Sequence, residues 1–240
     1  VLKLKGNGSV KSTCQSLLFS ISCLFSTGSW SVTGSDVSLL DLMIDSYELK
    51  MITWADKHAY TQEGSGIDIR PKELHMQQSL LHLDEYDGLL EKSITDLGQS
   101  FQNYSVDWQK NKVPSEDVTR ELDQTQQAFS DFLISNMSGS PIVDLRARQI
   151  DSLLTLSSIY VYMATEPQAS FPITEVYNID ELVESIDSTL LTHPVKDTTL
   201  LAKWRFLKSA LLRGDYVAPL LVKRHALSMA LILQRSLDEI

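Results

Sequence analysis

The sequence predicts an all-α fold, an antiparallel up-and-down helical bundle. Three observations carry that expectation. Apolar residues recur at alternating steps of three and four, the spacing that lays one face of a helix against a partner. Gly and Pro are scarce, 10 and 7 among 240 residues, which favours uninterrupted helix. Ser, Asp and Asn stand where the stripes begin, and a side-chain oxygen there can take a free helix N–H.

The first stripe runs Val37, Leu40, Ile44, Tyr47, Met51, Trp54, His58, with Asp36 as the expected cap and Gly64-Ser65-Gly66 as the stop. Pro71 suits the first turn of a second helix. Its strongest register is Leu90, Ile94, Leu97, Phe101, Tyr104, Trp108; it reaches back to Leu83 and ends at Asn111-Lys112-Val113-Pro114. Gly88 and Gly98 interrupt it, each costing about 1 kcal/mol against alanine, and mark either tight contacts or a bend.

Ser115 caps a third helix with Val118, Leu122, Thr125, Phe129, Phe132 and Asn136 on its stripe. Ser138-Gly139-Ser140-Pro141 is the clearest punctuation, Gly as a helix stop and Ser-Pro as cap and first turn. A fourth helix runs from Ile142 to about Ala164, before Pro167 and Pro172. Asn178-Ile179-Asp180-Glu181 reads as a capping box for a fifth, which closes at His193-Pro194. Asp197 caps a sixth, with Leu200, Trp204, Leu207 and Leu211 buried and Gly214 at its end. The seventh runs from Pro219 to the C-terminus.

A shift of 103 residues lays Leu40-Asp41-Leu42 on Val143-Asp144-Leu145 and Phe101 on Trp204. Such self-similarity suggests two tandem four-helix-like modules, 32–137 and 141–240. A single continuous bundle satisfies the same stripes and caps, and both arrangements stay open.

Residues 1–31 read as a signal peptide: Lys3, Lys5 and Lys11 without any acid, an apolar run from Leu17 to Phe25, then small residues. The apolar run is far shorter than the roughly 20 residues that span a bilayer. Removing three lysines and no acid takes the formal charge from -10 to -13, and Cys14 and Cys23 leave together. The expected location is periplasmic or secreted, with lipid anchoring at Cys23 as a lesser alternative. No transmembrane segment is expected in the remainder, and so acidic a chain is a poor general ligand for nucleic acid or anionic surfaces.

Catalytic signatures are missing. The five histidines form no H-E-x-x-H or Glu-x-x-His pair, and there is no P-loop, Gly-rich dinucleotide turn or G-x-S-x-G. The sequence therefore predicts no enzyme, no metal site and no cofactor. Two clusters remain as candidate ligand sites. Arg146, Arg148 and Gln149 lie near the start of the fourth helix, where two arginines oppose the helix dipole and offer guanidinium groups to a small anion. Trp204, Arg205 and Tyr216 suggest an aromatic wall with a basic rim.

The Arg148-Gln149 dipeptide near a helix start, in a chain of heptad-like helices, resembles the N-terminal sensor region of type IV pilus methyl-accepting chemotaxis transducers and the related nitrate/nitrite sensor domains. That family carries a Gly-Arg-Gln-Arg-Met-Leu-like motif whose arginines are implicated in anion recognition. Here Ala147, Ile150 and Asp151 replace its glycine, second arginine and methionine. The resemblance implies a sensor-like bundle that binds a small anionic ligand. The expected function is thus an exported sensor-like bundle that binds a small ligand or a partner protein in a signalling or envelope system. Candidate partners are a membrane receptor or a second copy met through helix faces. The alternative is a structural or chaperone-like helical interaction protein without a small-molecule ligand.

Overall fold

Two long helices buried on most of their faces set the architecture. The computed structural model describes residues 32–55, 76, 88–111, 114–165 and 177–238. Seven helices are described: α1 Gly34–Ala55, α2 Gly88–Asn111, α3 Glu116–Ser135, α4 Pro141–Thr165, α5 Ile179–Thr192, α6 Thr198–Arg213 and α7 Pro219–Arg235. There is no strand among the described residues, so the chain is all-α as its periodicity predicts. The expected signal peptide, the Gly64-Ser65-Gly66 stop, and the Pro71 start of the second helix with its turns before Gly88 lie outside the described residues.

The helices α1 and α4 form the centre. Every residue of α4 from Leu153 to Tyr162 is buried, and in α1 burial reaches Leu39, Leu42, Met43 and Leu49 beyond the single predicted stripe. A helix apolar on one stripe sits at the surface, whereas one buried on most faces sits among neighbours. Accordingly α4 packs along both α1 and α7, while α1 also meets α3 and α7. Hydrogen bonds from α1 to α3 and to the turn that follows it fix the relative direction of the two helices. Lys50 meets Asp123, Ser46 meets Gln126 and Asp36 meets Ser138, so the two helices run antiparallel. Tyr47 meets Thr155 and Trp54 meets Tyr162, a constant offset of 108, so α1 and α4 run parallel. Those are the two helices that the 103-residue shift aligns in sequence. They belong to one compact unit, Ser31–Ile240.

Two hairpins flank this pair. In α2–α3, Asp107 accepts the Ser115 N–H at 2.6 Å and Asn103 reaches Glu121 at 3.3 Å, the crossed pairing of antiparallel helices. In α6–α7, the Phe206 and His225 rings meet in a tilted contact, 4.7 Å between centroids. Among the described residues no tight contact demands Gly88 or Gly98, because a Cβ at either meets none of them within 4 Å.

Helix ends follow the capping chemistry with two corrections. The cap of α1 is Thr33 rather than Asp36: Thr33 Oγ1 accepts the Asp36 N–H at 3.2 Å, and Asp36 Oδ2 accepts the Thr33 N–H at 2.9 Å. This is a reciprocal capping box with an aspartate in the third helical position. Asp36 Oδ1 also accepts the Ser138 N–H at 2.7 Å, so one buried carboxylate joins the start of α1 to the α3–α4 turn. Burial opposes its charge, but the hydrogen bonds from Thr33 and Ser138 outweigh burial and hold its pKa below the usual value. The second correction concerns Ser140, whose buried Oγ has no partner among the described residues; Pro141 opens α4 without a side-chain cap, and the Ser140 carbonyl accepts the Asp144 N–H at 2.9 Å. Ser115, Asn178 and Asp197 cap α3, α5 and α6 as their positions predict, and Gly214 closes α6 at φ 64°.

Candidate functional site

Two polar clusters are buried in this apolar frame. The larger lies between α1, α3 and α4. Lys50 Nζ contacts Asp123 Oδ1 at 2.5 Å, and the Lys50 side chain is only 2% exposed. Its ammonium lies 4.6 Å from the Trp54 ring centroid, and Tyr177 donates to the other oxygen of Asp123 at 2.9 Å. Close by, the Tyr47 hydroxyl donates to Asp151 Oδ1 at 2.8 Å and lies 2.8 Å from Thr155 Oγ1. Burial first, then the charge of Asp151, pushes the Tyr47 pKa well up. Burial also raises the pKa of Asp151, partly offset by the Tyr47 hydrogen bond. The charges of this cluster are matched and tie three helices together, although among the described residues Trp54 Nε1 and Gln126 Oε1 are buried without a partner.

The smaller cluster is not matched. Arg146 is 4% exposed and Gln149 3%, one turn apart on the inner face of α4. Arg146 Nη1 donates to Gln149 Oε1 at 2.8 Å and to the His193 carbonyl at 3.2 Å, where α5 ends. Among the described residues no carboxylate pairs with this guanidinium, and both Arg146 Nε and Gln149 Nε2 are buried donors without an acceptor. Burial lowers the Arg146 pKa, the direction expected for a cation withdrawn from water without a counter-charge. The corner is therefore short of negative charge and of acceptor atoms. An oxyanion supplies both, with bidentate geometry available to the guanidinium.

Arg148 does not join this corner. Two residues along a helix turn the side chain through about 200°, so Arg148 faces solvent and pairs with Asp144 at 3.0 Å. Trp204 is buried on the predicted stripe of α6, and its indole N–H donates to Asp187 Oδ1 at 2.6 Å. Lys208 binds the other oxygen of Asp187, and these two hydrogen bonds hold the Asp187 pKa below its usual value. Arg205 is exposed. Tyr216 is half-buried at positive φ, with its ring 5.2 Å from that of Tyr160. Among the described residues no hydrogen bond, ion pair or ring contact joins Arg146 or Gln149 to Trp204, Arg205 or Tyr216.

No protein-family model matches the chain, and no curated protein or solved structure is significantly similar to it. Its chemistry must be read from its own residues. Among the described residues no group of three His, Cys, Asp or Glu is placed to hold a metal ion, and no helix is long and apolar enough to cross a membrane. A cleft of about 160 Å³ between α1 and α2, lined by Leu49, Ile94, Leu97, Gly98 and Phe101, is mostly apolar. Sequence reasoning missed the Lys50–Asp123–Tyr177 cluster. The one available signal was a lysine, Lys50, among apolar positions of the first helix; its partner Asp123 lies 73 residues away, and Tyr177, which binds Asp123, a further 54.

Proposed function

We propose that the chain is an exported, sensor-like binding module that takes up a small anionic ligand at the Arg146–Gln149 corner and serves a signalling or envelope system. One observation carries the reading: a buried guanidinium that has no counter-ion among the described residues, beside a buried amide N–H group that has no acceptor among them. An unpaired buried charge is expensive, and proteins rarely retain one that a ligand or partner does not neutralise. The resemblance of Arg148-Gln149 to the anion-sensing motif points to the same turn of α4, although Arg146 rather than Arg148 would be the ligand-facing cation. Binding, not catalysis, is the proposed activity.

Thermal melting of the full chain against nitrate, phosphate, acetate and dicarboxylates tests it. A ligand at a hundredfold its Kd adds about 2.7 kcal/mol, which for a chain of this size raises Tm by roughly 5–10 °C. The rise should vanish in Arg146→Gln. If no anion raises Tm above matched ionic strength, or if Arg146→Gln keeps the full rise, the reading fails.

A further inference from the structure

The whole-chain charge argues against anionic surfaces, but charge is not spread evenly. From Thr198 to Arg235 there are seven Lys and Arg against a single acid, Asp215, in a chain of net charge -10. These residues form the α6–α7 hairpin, and the same hairpin carries a concentration of exposed large apolar side chains. Around the connecting turn Leu212 is 53% exposed, Val217 77% and Leu220 65%, with Leu221 beside them. Arg213, Lys223 and Arg224 lie within six residues of that turn. Along the outer face of α7, Leu220, Arg224, Leu231 and Arg235 fall on one helical stripe, all exposed.

The turn is held, not loose. Gly214 and Tyr216 both have positive φ, 64° and 47°, and the second is a strained value for a side-chain-bearing residue. Tyr160 pins the turn from the core side: its ring meets Tyr216, and its hydroxyl accepts the Ala218 N–H at 3.2 Å. Val217, between the two anchored residues, is thereby presented outward.

We propose that the α6–α7 hairpin docks on an anionic phospholipid surface, inserting Leu212, Val217, Leu220 and Leu221 among the headgroups while Arg213, Lys223 and Arg224 meet the phosphates. Basic residues flanking exposed apolar ones on a helix surface are the pattern of interfacial binding. A lipid surface fits better than an acidic protein partner because the apolar residues project from a turn between helices and do not line a groove. The acidic remainder does not cancel the attraction: at physiological ionic strength charges beyond about 8 Å are largely screened, whereas these cations would sit at the surface itself. Repulsion between neighbouring cations is already visible at His225, whose pKa is lowered by burial and then by Lys203 and Arg224. The inference is independent of the Arg146 reading, since it uses neither its residues nor a free anion.

Co-sedimentation of the full chain with phosphatidylcholine vesicles, with and without phosphatidylglycerol, tests it. Binding is expected only when phosphatidylglycerol is present. Each cation near such a surface is worth about fivefold, so Arg213→Glu/Lys223→Glu/Arg224→Glu should lower the partition coefficient by well over tenfold. Val217→Asp/Leu220→Asp should lower it as well, with the helical circular dichroism of both variants unchanged. A third variant, Lys3→Gln/Lys5→Gln/Lys11→Gln, should keep its binding. Absence of vesicle binding overturns the proposal, as does loss that follows the N-terminal lysines and not the hairpin. Capture of the chain by polyglutamate without vesicle binding also overturns it, in favour of an acidic protein partner.

Discussion

The central pair α1 and α4 and the outer hairpin α6–α7 are built from similar residues arranged to opposite ends. In α6 burial stops at one stripe, Leu200, Trp204, Leu207 and Leu211, while Leu201, Arg205 and Leu212 face water. In α4 ten consecutive residues are buried, and the serines and the threonine among them turn their hydroxyls onto helix carbonyls or Tyr47. The charged groups of the centre are thus sealed and paired, except at Arg146, whereas Arg205, Arg213 and Arg224 on the hairpin are open to solvent. The difference teaches where each kind of function can reside. A buried corner selects a small solute, and an exposed basic and apolar edge meets a surface.

The sharpest way to break this comparison is at the sealed ion pair. Asp123→Ala leaves Lys50 buried without its counter-charge and Tyr177 without its acceptor, which should destabilise the chain by about 3–5 kcal/mol. Lys50→Met/Asp123→Leu removes both charges and should recover most of that loss in urea unfolding. A double variant no better than the single would mean that the pair itself, and not the unpaired charge, sets stability.

A matched leucine pair sharpens the contrast. Leu153→Ala in α4 creates a cavity at a fully buried position and should cost about 2–5 kcal/mol. Leu220→Ala in α7 should change stability by no more than about 0.5 kcal/mol, because its side chain already faces water. Equal effects would erase the distinction between centre and edge.

Much of the centre was legible in the sequence, though unevenly. The stripes placed Leu40, Ile44, Tyr47, Met51 and Trp54 correctly inside, and caps and glycines located five of the helix ends to within a residue or two. What stayed hidden were contacts between distant segments. A heptad stripe describes one interface, so it could not reveal that α1 also turns Leu42, Leu49 and Lys50 inward. The same blindness paired Arg146 with Arg148 as one cluster, when helical geometry sends them to opposite faces. The basic character of α6–α7 was readable as a count of residues, but a whole-chain sum concealed it.

The Asp36 capping box is the next largest test. Its depressed pKa contributes stability that is present above the unfolded carboxylate value near 3.8 and lost as pH falls through the folded value. Asp36→Asn should lower stability by about 1.5–3 kcal/mol at pH 7 and flatten the fall below pH 4. An unchanged acid limb in urea unfolding would show that Asp36 does not join α1 to the α3–α4 turn energetically. The smallest effect belongs to Gly98, at the edge of the apolar cleft. With open space around it and a helical backbone, Gly98→Ala should stabilise α2 by about 0.5–1 kcal/mol, and destabilisation would reveal a contact made by the cleft.

The most direct measurement of the anion-binding claim is the arginine Nε–H resonance of Arg146, followed by nuclear magnetic resonance while small anions are titrated into the full chain. Arg146 Nε is buried without an acceptor among the described residues, and Arg148 Nε is already bound to Asp144. The account predicts that one anion shifts the Arg146 signal saturably and slows its exchange with water while the Arg148 signal stays in place. An Arg146 signal that ignores every anion, or moves only with ionic strength and together with Arg148, would contradict it.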